Sequence, residues 1–134
     1  MKKIVVTTIA LTAMLSAVIT SCRKDATLII KPEPVAVNKT VSFSKDLVPL
    51  FAKNCAISGC HATGGHAPDL MSDKAYSSLI NDPDFVIVKS PEESTLYMRL
   101  TGKLSPAMPM GKASNPSNIN SLVLAWIKQG AKNN

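Results

Sequence analysis

Hydrophobic residues recur at helical intervals near the end of the chain: Ile119, Leu122, Val123, Trp126 and Ile127 form one stripe, with Asn120, Lys128 and Gln129 off it. The spacing predicts an amphipathic helix that Gly130 stops. A weaker repeat of the same period, Leu47, Leu50, Phe51 and Cys55, predicts an earlier helix with Ser44 as its cap. Pro49 falls inside it, so the helix either begins there or kinks there. Ser90-Pro91-Glu92-Glu93 combines a capping serine, a proline suited to the first helical position and the acidic partner of a capping box; it predicts a helix ending at Gly102. Between these lie a loop, His61-Ala-Thr-Gly-Gly-His-Ala-Pro68, a short helix from Asp73 to Ile80, a turn at Asn81-Asp82-Pro83 and the apolar run Phe85-Val-Ile-Val88. The pattern predicts a small all-α domain.

The first 22 residues follow a different rule. Lys2 and Lys3 precede an apolar stretch from Ile4 to Ile19, and Ile19-Thr20-Ser21-Cys22 ends it in small residues before a cysteine. That ending resembles a bacterial lipobox, which implies a lipoprotein signal peptide over 1–21 and lipidation of Cys22. The apolar stretch is short for a membrane span. Residues 22–40, with Pro32 and Pro34 and no helical period, read as a lipidated cysteine and flexible tether. The domain occupies 41–134, enough chain for one core.

Charge narrows the partners. The chain carries a formal +6, of which Lys2 and Lys3 leave with the signal, and the tether holds half of the rest. Residues 41–134 keep nine basic and seven acidic side chains, a balance that gives no argument for nucleic acid. The basic tether beside a lipid reads as a solvated linker next to headgroups.

With Cys22 assigned to lipid, Cys55 and Cys60 remain, in the run Cys55-Ala-Ile-Ser-Gly-Cys60-His61. A second cysteine followed at once by histidine marks covalent haem attachment: two thiols add across the vinyl groups while the adjacent imidazole reaches the iron. The implied cofactor is one haem c. Four residues separate the cysteines where two are usual, so the loop from Ala56 to Gly59 must bulge outward, which Ser58 and Gly59 permit. Both remaining cysteines lie in this motif, so no pair is left for a structural disulfide in a compartment where thiols are normally oxidised. Only three Phe, two Tyr and one Trp serve the chain, so a buried haem would add apolar surface that the side chains lack.

A second axial ligand is expected from Ser105-Pro106-Ala107-Met108-Pro109-Met110-Gly111. Met108 is the first candidate, because the proline after it disfavours helix and lets the loop present a thioether. Met110 is its competitor. His66 lies too close to His61 on one Gly-rich loop to serve the far side of the iron, and reads as a surface residue. Met71 lies near the attachment loop, Met98 falls inside a helix, and Trp126 reads as core.

Leu50-Phe51 leading into Cys55, the stretched cysteine motif, Pro91-Glu92-Glu93-Ser94-Thr95-Leu96, Met108-Pro109 and Trp126-Ile127-Lys-Gln-Gly130-Ala131 together resemble the planctomycete-type cytochrome c domains, within the mono-haem cytochrome c superfamily. The resemblance runs from Phe43 to Ala131. It implies an all-helical cytochrome c fold, thioethers at Cys55 and Cys60, iron ligation by His61 and Met108, and electron transfer. Met110 stands where that family often has a second proline.

The leading expectation is therefore a membrane-anchored electron carrier of the cell envelope, on the periplasmic side or at the outer membrane, handing electrons to redox partner proteins rather than acting as an enzyme. Neither paired carboxylates nor a nucleophile and base appear in the sequence. The alternatives are a haem-free binding module held by a Cys55–Cys60 disulfide, a zinc site of Cys55, Cys60, His61 and His66, and a haem enzyme or gas sensor with an open iron position.

Overall fold

The computed structural model describes residues 37–111, 115 and 118–134. Its contacts divide the chain into Met1–Lys31 and Pro32–Asn134, and the description below concerns the second unit. The apolar stretch, Cys22 and most of the tether lie outside the described residues. Val41 is buried in the core, and Val37, in the segment read as tether, packs against it.

The described residues are helical, with no strand among them. A π-helical turn, Phe43–Leu47, runs straight into α1 (Val48–Asn54); α2 (Ala75–Ile80) follows a long loop; a 3-10 turn (Pro91–Glu93) precedes α3 (Thr95–Leu100); and α4 (Ile119–Lys128) closes the unit.

The first helix begins at Val48, so Pro49 falls in its first turn, the first of the two placements the sequence offered. Ser42, not Ser44, is the cap: its hydroxyl accepts the Lys45 N–H at 3.2 Å. The π turn leads into Val48, and Pro49 enters within the first turn of α1, a position that suits proline. The capping box at Ser90 does not form. Ser94 has extended backbone angles (φ −57°, ψ 128°) and separates the 3-10 turn from α3. The N–H groups at the start of α3 find other acceptors: Thr95 donates to the Asp84 carbonyl at 2.9 Å and Leu96 to that of Phe85 at 3.2 Å. The buried Ser94 hydroxyl accepts the Ile87 N–H at 2.9 Å, so the segment 84–87 is sewn to the head of α3. The end at Gly102 (φ +72°) falls where the sequence puts it.

Phe43 is the hub of the core. Its ring lies 5.1 Å from Trp126, 5.3 Å from Tyr76 at a near-perpendicular angle, and 6.2 Å from Phe51, which joins the first, second and last helices through aromatic contacts. Trp126 Nε1 donates to the Lys132 carbonyl at 2.9 Å, and the Tyr76 hydroxyl donates to that of Ala131 at 3.1 Å, so both polar tips are satisfied inside an apolar cluster. Asn134 ties the tail to the start of the domain. Its Oδ1 accepts the Phe43 N–H at 2.9 Å, its Nδ2 donates to the Val41 carbonyl at 3.3 Å, and its main-chain oxygen accepts the Ser44 N–H at 2.9 Å. Gln129 adds a bond from the Val41 N–H at 2.8 Å.

Candidate functional site

Two stretches of chain, 51–70 and 85–110, line a cavity of about 560 Å³. That volume lies inside the span of about 300–1,000 Å³ usual for small-molecule and cofactor sites. Phe51, Leu70, Phe85, Leu96 and Leu100 make its lining mainly hydrocarbon. Cys55, Cys60, His61, Met108 and Met110, every domain residue to which the sequence gives a ligating or tethering role, line this one cavity. Met71, Met98 and Trp126 are not on it.

The attachment loop begins where α1 ends. Cys55 is the last residue of the helical path, its N–H still bonded to the Phe51 carbonyl at 2.8 Å. The chain then turns back on Cys55 itself, whose carbonyl accepts the N–H groups of Ile57 at 2.8 Å and His61 at 3.2 Å. Gly59 takes φ +78°, a conformation that suits glycine, and Ile57 to Cys60 are exposed. The four-residue spacing is thus a closed, outward loop anchored at both ends by one carbonyl.

The far side of that loop fixes the imidazole. His61 Nδ1 lies 3.1 Å from the His66 carbonyl and 3.0 Å from the Pro68 carbonyl. Both partners are acceptors only, so Nδ1 carries a proton and donates to them, and Nε2 is the ring nitrogen that neither carbonyl engages. A ligating histidine is normally held in this way through its other nitrogen. The presenting carbonyl is itself held: His66 N–H donates to the Cys60 carbonyl at 2.6 Å, a turn in which Gly65 leaves no room for a side chain. His66 is exposed, as expected, but it also lines the cavity, and it acts on His61 through its backbone.

The methionine loop is fixed from α3. Met108 N–H donates to the Arg99 carbonyl at 2.9 Å, Leu104 N–H donates to the Met98 carbonyl at 3.2 Å, and Arg99 Nη1 donates to the Pro106 carbonyl at 3.1 Å. Met108 is half-buried, whereas Met110 is 66% exposed. The better-held thioether is therefore that of Met108.

Among the described residues, no three His, Cys, Asp or Glu side chains come together to hold a metal ion, so Cys55, Cys60, His61 and His66 do not form the zinc cluster that their residue types allow. No described helix is long and apolar enough to cross a membrane. Thr95, Leu96, Arg99 and Leu100 line the cavity from α3 and are absent from the sequence-based site. Their spacing, adjacent pairs one turn apart on a helix, is the signal that could have found them.

Comparison of the chain with protein-family models, with curated proteins and with solved structures finds no match.

Proposed function

We propose that this chain is a membrane-tethered mono-haem c-type cytochrome that carries single electrons in the cell envelope. Cys55 and Cys60 would hold haem c through two thioethers, His61 and Met108 would ligate its iron, and Cys22 would carry the lipid. The resemblance to planctomycete-type cytochrome c domains belongs to the same proposal. The observation that carries it is the arrangement of His61: an imidazole with Nδ1 committed to two carbonyls and Nε2 engaged by neither, on an apolar cavity that both cysteines and Met108 also line. The donor set fits the group. Soft thioether and imidazole suit iron, the lining gives a macrocycle apolar contact, and the cavity volume is that of a cofactor site.

Bound there, haem c supplies a one-electron couple, and His/Met ligation holds its potential comparatively high. The residues of the chain orient and shield. The carbonyls of His66 and Pro68 fix the imidazole plane and keep Nδ1 protonated, and α3 holds the methionine loop.

The test is expression of the full chain with covalent-haem maturation machinery, followed by acid-acetone extraction and a pyridine haemochrome spectrum. Haem retained through extraction with the spectrum of a doubly thioether-linked product supports the reading; no retained haem defeats it and returns attention to a disulfide-held binding module. In the loaded protein, Met108→Ala is expected to abolish the red charge-transfer band of an oxidised His/Met iron, while Met110→Ala keeps it. The reverse result would assign the ligand to Met110.

A further inference from the structure

Resting on the haem reading, we infer that Ser78, on a helix that does not line the cavity, is a positioning residue for the axial imidazole and raises its donor strength toward iron. The Asp69 N–H donates to Ser78 Oγ at 2.8 Å. That N–H and the Pro68 carbonyl belong to one peptide group, which is planar and rigid. The carbonyl end of the same group lies 3.0 Å from His61 Nδ1 and accepts its hydrogen bond. Holding one end of the plane therefore aims the other. None of the α2 residues, Ala75–Ile80, lines the cavity. Ser78 acts on the site through this single peptide, from hydroxyl to amide, and from carbonyl to imidazole.

Neighbouring bonds leave that peptide little freedom. Asp69 Oδ1 accepts the Met71 N–H at 3.0 Å, and its Oδ2 accepts the Thr63 hydroxyl at 2.9 Å. Lys74 Nζ donates to Thr63 Oγ1 at 3.2 Å and lies 3.8 Å from Asp69 Oδ2, so the start of α2 is tied to the same loop. The hydrogen bond to Ser78 also polarises the peptide and makes the Pro68 oxygen a stronger acceptor. An imidazole that shares its Nδ1 proton with a stronger acceptor is a more basic ligand through Nε2, which favours Fe(III). Without the Ser78 hydroxyl, the Asp69 N–H loses its acceptor and the Pro68 carbonyl is no longer aimed. The His66 carbonyl is then the acceptor left at Nδ1, and the equilibrium moves toward Fe(II).

The experiment is a redox titration, at one pH, of the haem-loaded full chain beside Ser78→Ala, Ser78→Thr and Ser77→Ala. Ser78→Thr keeps the hydroxyl. Ser77→Ala removes a hydroxyl from the same helix, one that donates to the Lys74 carbonyl at 2.9 Å and has no bond toward His61. The expected result is an equilibrium displaced about threefold toward Fe(II) in Ser78→Ala, equivalent to about 28 mV for a one-electron couple, with the other two variants close to the parent. A parent-like potential in Ser78→Ala, or the same displacement in Ser77→Ala or Ser78→Thr, would overturn the inference and leave Ser78 a helix residue of local effect. The parent gives a second reading that needs no variant: hydrogen exchange at the Asp69 amide should be slowed at least about tenfold relative to the unfolded chain. An unprotected Asp69 amide overturns the inference even if Ser78→Ala does not accumulate with haem. A parent chain that attaches no haem defeats the haem reading itself, whereas an unmoved potential in a loaded Ser78→Ala defeats this inference alone.

Discussion

Gly65→Ala is expected to be among the most damaging single-methyl additions in this domain. A Cβ built on Gly65 would sit 2.3 Å from the Cys60 carbonyl oxygen and 3.0 Å from that of Ala62. Both are backbone atoms inside the attachment loop, so the loop must open for the methyl to fit. Opening it breaks the 2.6 Å bond from His66 N–H to Cys60 and moves the His66 carbonyl away from His61 Nδ1. Two hydrogen bonds at about 1 kcal/mol each, together with overpacking strain of at least about 1 kcal/mol, give a loss of about 3 kcal/mol. At about 4–8 °C per kcal/mol for a domain of this size, the unfolding midpoint falls by about 12–24 °C. Gly64→Ala is the control. It has φ +82° and open space around the missing Cβ, so it meets only the left-handed backbone cost of about 1–2 kcal/mol. Thermal denaturation of the two variants beside the parent decides the matter: an unfolding midpoint for Gly65→Ala at or above that of Gly64→Ala would refute the steric reasoning.

Two further outcomes concern the framework. Asn134→Ala removes the acceptor for the Phe43 N–H and the donor to the Val41 carbonyl, and is expected to cost about 1–3 kcal/mol in urea unfolding with an unchanged slope; a midpoint equal to that of the parent would mean that the tail is not holding the first turn. Asp46 has its carboxyl held below the ordinary aspartate range, first by the hydrogen bond from Lys39 and next by the Ser42 N–H. Its stabilising contribution is therefore present above that range and is lost as the pH falls through the lowered folded value. Asp46→Asn should be less stable than the parent at neutral pH, with the gap closing on acidification, and a gap that persists in acid would contradict that sign.

Periodicity located the last helix almost to the residue, because Ile119, Leu122, Val123, Trp126 and Ile127 bury one stripe and nothing competes with that pattern. Local rules did less well where tertiary bonds outbid them. Ser90 has the residues of a capping box around it, yet the N–H groups that begin α3 are taken by Asp84 and Phe85, and the helix starts four residues later than the box implies. Pro49 offered two expectations, and α1 takes the first of them, beginning at Val48 after a π turn that spacing alone does not encode. At the site, chemistry-bearing residues announce themselves by type, so Cys55, Cys60, His61 and Met108 could be picked from the chain and are brought to one cavity. Arg99 could not, since an arginine on a short helix is ordinary until the loop from 104 to 108 is seen folded back on it.

The fastening of Asn134 to Val41, Phe43 and Ser44 means that the domain is nearly a ring. None of the cavity-lining residues belongs to that junction. A circular permutant that splices residue 134 to residue 41 through a short linker and reopens the chain at the exposed Asn81–Asp84 turn would therefore keep each hydrogen bond described around His61 and Met108. The order in which the two halves of the site are synthesised would be reversed, with the methionine loop made before the attachment loop.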